Sequence, residues 1–146
     1  MRHLPRSRAL LSDRRLRQTA RGALRAGQHH RTAAISLAFV GDRAMRRLNR
    51  QYAANDYTTD VLSFPAHDGV RPAHESKTAM ATLGDIAISL PQALRQARRA
   101  GHSLAHEVDT LLAHGILHLL GYDHATAGEA AAMSALQERA LRRQSP

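Results

Sequence analysis

The period of the apolar positions changes along the chain, and each change marks an element. Arg14 to Ala26 carries its apolar residues at helical spacing among arginines and predicts a first helix, ended by Gly27. "TAAISLAFV", Thr32 to Val40, is apolar and β-branched and predicts a strand. Gly41-Asp42 follows, with Asp42 placed to cap a second helix, "RAMRRLNRQY", whose apolar positions are Ala44, Met45, Leu48 and Tyr52. "DVLSFP" predicts a short strand closed by Pro65, and Ala66 to Ala81 has the glycine, proline, serine and charges of a long exposed loop. "TLGDIAIS" predicts a third strand, and Ser89 caps the helix Leu90 to Ala100 that Gly101 ends. A longer helix follows from about Leu104 to Leu119, stopped by Gly121. Thr126 and Glu129 have capping-box spacing and open a last helix that ends near Arg142. Strands and helices interleave irregularly, which predicts one α+β or α/β layer fold with a mixed sheet.

On a helical wheel, Leu104, Val108, Leu111, Gly115 and Leu119 form one broad apolar stripe of the long helix. His114 and His118 stand at i and i+4, so they stack on one side of the helix at the edge of that stripe. This is how a helix offers two imidazoles to one ion. Gly121 lets the chain turn back, and His124, three residues later, is placed to supply a third nitrogen. Three neutral imidazoles with an open fourth position describe a catalytic zinc site better than a structural one. The chain holds ten histidines, so isolated pairs carry little weight; His29, His30, His67, His74, His102 and His106 read as surface residues. The trio stands apart through the conjunction of the i,i+4 pair, the glycine turn and the apolar setting. Glu107 lies on the same sector two turns earlier and reads as a favourable charge at the helix N-terminus.

Composition narrows the chemistry. The 146 residues suit one domain with a real core, and the 43% apolar content is that of a globular protein. No cysteine is present, so thiolate sites and disulfides are excluded and any metal rests on imidazole and carboxylate. No apolar run has the length of a membrane helix, and the Arg-rich N-terminus lacks the apolar core of a secretory signal. A cytoplasmic location is the expectation. The formal charge is +9, of which residues 1–31, with nine arginines and Asp13, supply +8. Such a concentration suits a polyanion, although arginines outnumber lysines twenty to one and part of the excess reflects that bias. Aromatic residues make up only 3%, with no tryptophan, which argues against base-stacking platforms. Recognition of nucleic acid therefore rests on backbone charge and shape.

The histidine spacing also fits the metzincin pattern H-E-x-x-H-x-x-G-x-x-H, against H-G-I-L-H-L-L-G-Y-D-H here. The glutamate that would act as general base is replaced by Gly115, so a proteolytic mechanism lacks its proton acceptor.

"HGILHLLGYDH" resembles the H-G-x-L-H-L-x-G-Y-D-H signature of the YbeY-type endoribonucleases, the rRNA maturation factors of bacteria. "LNRQY" followed by "TTDVLSFP", and then "LGDIAIS", are similar to that family's other characteristic segments, in the same order. The resemblance spans roughly residues 33 to 142. It implies an α+β fold, residues 1–146 as a single domain, with a small mixed sheet of about four strands packed against helices and a metal site at the end of a long helix. It implies one Zn2+ ion held by His114, His118 and His124. It also implies action on single-stranded RNA: maturation of the 16S rRNA 3′ end, small-subunit assembly and ribosome quality control. Ribosomal proteins and assembly GTPases are the expected protein partners; no membrane and no DNA partner is expected. One position departs from the family, since Ala53 stands where an arginine usually follows the tyrosine of "LNxxY".

The leading expectation is zinc-dependent cleavage of RNA, with arginines of the N-terminal and second helices holding the phosphate backbone, Arg47 and Arg50 among them as candidate contacts. Asp123, beside His124, is a candidate proton acceptor or partner of a histidine N–H; the competing role is that of a turn residue satisfying local backbone N–H groups. Asp85 reads as a structural strand-end aspartate. Ala53 favours a second reading, a non-enzymatic zinc-containing assembly factor that binds rRNA. A metzincin-like protease is the third and least favoured.

Overall fold

The computed structural model describes residues 11–53, 59–66 and 81–142; most of the expected 66–81 loop and the first ten residues lie outside these. Five helices and three strands follow in the order α1 (Asp13–Ala26), β1 (Ala33–Val40), α2 (Asp42–Ala53), β2 (Val61–Pro65), β3 (Ala81–Ser89), α3 (Leu90–Ala100), α4 (Leu104–Leu119) and α5 (Ala127–Leu141). The sheet is mixed, in the order β1-β3-β2, with β1 parallel and β2 antiparallel to β3. The expected fold class holds, but the sheet has three strands among the described residues rather than about four. Each of the three has its own legible apolar run, and the other described segments are helical or short turns.

The polar boundary residues do what their chemistry requires. The side-chain oxygens of Ser12, Ser89, Ser103 and Thr126 accept from the backbone N–H groups of Arg15, Gln92, His106 and Glu129, which capping theory leaves without helical partners. Thr126 and Glu129 form a reciprocal capping box. Asp42 departs from expectation. It enters α2 as the first helical residue, and its carboxylate accepts from both terminal nitrogens of Arg95, at 2.7 and 3.1 Å, instead of capping the helix. That guanidinium holds the Asp42 carboxyl below its ordinary pKa.

The long helix is also more central than a single stripe implies. Ala105, Glu107, Val108, Asp109, Leu111, Leu112, Ala113, Gly115, Ile116 and Leu117 are all buried, so α4 is covered on nearly every side. It packs against α1, α3, α5 and the β2–β3 ribbon. Its core partners include Ala23 and Ala26 of α1, Ile86 and Ile88 of β3, Ala93 of α3 and Ala140 of α5.

Two buried acids on α4 are hydrogen-bonded by neighbours. Asp109 accepts from Arg15 Nε and Nη2 at 3.0 and 2.7 Å and from the Thr19 hydroxyl at 2.8 Å. Glu107 accepts from Gln96 Nε2 at 2.8 Å and meets His102 Nε2 at 2.5 Å. Glu107 is thus a tie between α3 and α4 rather than a free charge at a helix start, and His102 is more than a surface residue.

Candidate metal centre

The C-terminal turn of α4 delivers the histidines. His114 and His118 point the same way one turn apart, with their Nε2 atoms 3.1 Å from each other. Helix α4 ends as Leu120, Gly121 and Tyr122 return their N–H groups to the carbonyls of Ile116, His118 and Leu117. Gly121 takes φ +102°, a left-handed conformation costly for a residue with a Cβ, and so reverses the chain. The Tyr122 hydroxyl donates to the Gly27 carbonyl at 3.1 Å and fastens the turn to the end of α1. His124 comes back over the helix end: its ring lies 5.3 Å from that of His114 and 5.0 Å from that of His118. One nitrogen from each of the three lies within 4.8 Å of the others.

These donors suit zinc. Zn–N bonds of about 2.0–2.1 Å at a tetrahedral angle place ligand nitrogens about 3.4 Å apart, close to the His114–His118 separation. The exposed loop carrying His124 has room to close the remaining gap. The Gln137 side-chain carbonyl of α5 accepts from His114 Nδ1–H at 2.6 Å. That bond fixes the tautomer which leaves the Nε2 lone pair facing His118. His118 has its pKa lowered, first by burial and then by repulsion from His114 and His124, with Asp123 partly opposing. It therefore remains neutral, and able to ligate, to lower pH than a free imidazole.

The trio forms one wall of a cleft of about 370 Å3, whose opposite wall is Thr59, Asp60, Val61, Leu62, Ser63 and Pro65. Gly115 explains how β2 comes so close. A Cβ there would lie 3.1 and 3.2 Å from Ile86 side-chain carbons and 3.2 Å from Ser63 Oγ, which itself donates to the Gly115 carbonyl at 3.1 Å. The position that holds glutamate in a metzincin therefore faces the sheet at close range, where any side chain has to displace Ile86 or Ser63.

Asp123 is exposed, and its Oδ1 accepts from the His124 backbone N–H at 2.7 Å, the turn role weighed above. Arg47 and Arg50 are exposed on α2 and are not among the residues lining the cleft. Ala53 is the last residue of α2. Asp85 is exposed on β3, across the sheet from Ser36. Gln137 and Asp60 escaped the sequence reading. Both act across long stretches of chain, and no local spacing marks them: Asp60 accepts from Gln96 Nε2 at 3.2 Å, and Gln137 lies on a different helix from its histidine.

A sequence profile of the family described as "Endoribonuclease YbeY" matches residues 6–145. A protein of that name from Moorella thermoacetica is 50% identical over 111 residues, covering 75% of this chain and 71% of its own. Another from Thermobifida fusca is 43% identical over 130 residues, covering 88% and 83%. Among solved structures, the solution structure of a Thermotoga maritima protein is similar in fold, with TM-score 0.55 and 21% identity over 88% of this chain and 81% of that one.

Proposed function

The chain belongs to the endoribonuclease YbeY family, and from that premise we propose that it cleaves single-stranded RNA at a zinc ion held by His114, His118 and His124. RNA hydrolysis is the family's chemistry; the observation that carries the assignment of the site is the convergence of three imidazole nitrogens within 4.8 Å at the mouth of a cleft. A bound zinc ion supplies Lewis acidity toward a phosphoryl oxygen and lowers the pKa of water.

The protein's own groups do the rest. Gln137 orients His114. The β2 wall, with the Thr59 and Ser63 hydroxyls and the Asp60 carboxylate, confines the strand opposite the histidines. Asp123 keeps one carboxylate oxygen beyond the bond to its own turn and serves as proton acceptor at the rim. Arg47 and Arg50 on the exposed face of α2 contact flanking phosphates. The substrate is ribosomal RNA of the small subunit, with the 16S 3′ end as the site of maturation, ribosomal proteins and assembly GTPases as protein partners, and the cytoplasm as the compartment. No described helix is long and apolar enough to cross a membrane.

A binding-only role as an rRNA assembly factor draws support from Ala53, where the resemblance leads one to expect an arginine. The two readings separate on single-stranded RNA. Wild-type cleavage that a chelator abolishes and zinc restores supports the enzyme. Cleavage that appears only in Ala53→Arg supports the binding-only role.

A further inference from the structure

The histidine cleft is not the largest concavity of the chain. A groove of about 840 Å3 runs between α1 and β1, with Arg17, Arg21, Arg25 and Arg31 along it and no acidic residue in its lining among the described residues. Arg17, Arg21 and Arg25 are spaced by four, so they project from one face of α1, each about 6 Å further along the helix axis. All three are exposed, and none meets a carboxylate among the described residues. Arg15, by contrast, is committed to the buried Asp109. The groove floor is apolar, from Ala20 and Leu24, and its far side is β1, an outer strand of the described sheet.

We propose that this groove is a second RNA subsite, which takes the phosphate backbone of the substrate strand away from the histidine cleft. The inference rests on the RNA reading of that cleft. A row of unneutralised guanidiniums, one per helical turn, matches a partner with regularly repeated single negative charges, and guanidinium forks suit phosphate oxygens. An acidic protein segment would need carboxylates at that same repeat, whereas any RNA strand has phosphates at it. The two sites lie at opposite edges of the sheet, β1 and β2, separated by β3 and so by about 10 Å across the strands. Their relation is rigid, because α1 is locked to α4 by Asp109 with Arg15 and Thr19 and by Tyr122 on the Gly27 carbonyl. A short oligonucleotide fills the histidine cleft alone; a long one reaches both.

The test uses stopped-flow fluorescence, read before cleavage, with a short and a long labelled single-stranded RNA over a range of salt. Three proteins are compared: wild type, Arg17→Gln/Arg21→Gln/Arg25→Gln, and a control with the same charge removed elsewhere, Arg98→Gln/Arg99→Gln/Arg142→Gln. The groove variant is expected to bind the long RNA roughly tenfold to a hundredfold more weakly. Its salt slope should fall by about two, at about 0.7 per lost phosphate contact. Binding and cleavage of the short RNA should be unchanged, and the control should lose far less. Equal losses in both variants, no loss in the groove variant, or an equal loss for the short RNA would overturn the proposal. So would binding of polyglutamate as tight as that of long RNA and removed by the same substitutions, which assigns the groove to an acidic protein. If wild type neither binds nor cuts even the short RNA, the reading of the histidine cleft fails first.

Discussion

Replacing Gln137 by leucine tests whether the histidine trio is organised for a metal or merely crowded. The Gln137 carbonyl is 2.6 Å from His114 Nδ1, and both side chains are half-buried. Leucine keeps the volume and removes the acceptor, so the Nδ1–H proton loses its partner, and neither the tautomer nor the ring angle is fixed any longer. Loss of such an outer partner costs a metal site 10–100-fold in affinity, about 1.4–2.7 kcal/mol. Because water reaches the half-buried ring and partly replaces the lost acceptor, the lower half of that range applies, roughly 10–30-fold. Gln137→Glu retains an acceptor, now charged, and should bind zinc at least as tightly as wild type. Competition with a chromophoric chelator at neutral pH measures all three proteins, and thermal melts of the metal-free forms check that the fold is intact. Affinity of Gln137→Leu within twofold of wild type, or an equal loss in Gln137→Glu, would refute the reasoning.

Four further substitutions probe the frame around the site. In the Arg15–Asp109 pair the carboxylate side chain is 3% exposed and the guanidinium 38%. Arg15→Leu should therefore cost about 4 kcal/mol by stranding a buried charge, and Asp109→Leu less, because Arg15 can rehydrate. Urea unfolding that shows the reverse order would count against this account. Gly115→Ala inserts a methyl group between α4 and the sheet against Ile86 and Ser63, and should lose about 1–3 kcal/mol by overpacking; an unchanged midpoint would show that β2 yields more easily than its contacts imply. For Asp42 the folded pKa lies below the unfolded value, so its stabilisation is present above the ordinary carboxylate range and is lost as pH falls through the lowered pKa. Asp42→Asn should be slightly less stable than wild type at neutral pH, the gap closing in acid; a gap that widens on acidification contradicts the sign.

What was legible in the sequence was local. The three strands, the Ser89 and Thr126 caps and the glycine stops depend on neighbours within a few residues, and the structure places them as expected. The histidine trio was legible for the same reason, since eleven consecutive residues contain the helix turn, the reversal and all three nitrogens. What escaped was tertiary. Leu104 to Leu119 shows one stripe on a wheel, yet five neighbouring elements cover it, and a wheel cannot show that Asp109 is paired by an arginine from α1. Asp42 looked like a cap because its position suits one, but Arg95, fifty-three residues on, takes its carboxylate. Gly115 is the instructive case. Its lack of a side chain argued against peptide cleavage, and the structure adds a steric reason, namely the closeness of β2 and β3.

Everything proposed for the reaction depends on these three histidines holding the ion that the chemistry needs. Elemental analysis of purified wild type and of His118→Ala, with single-stranded RNA cleavage followed on the same samples, tests it most directly. The prediction is about one zinc ion per wild-type chain, with zinc and cleavage lost together in a folded His118→Ala. A folded wild type that cuts RNA without metal, or a His118→Ala protein that keeps both its zinc and its activity, would contradict it.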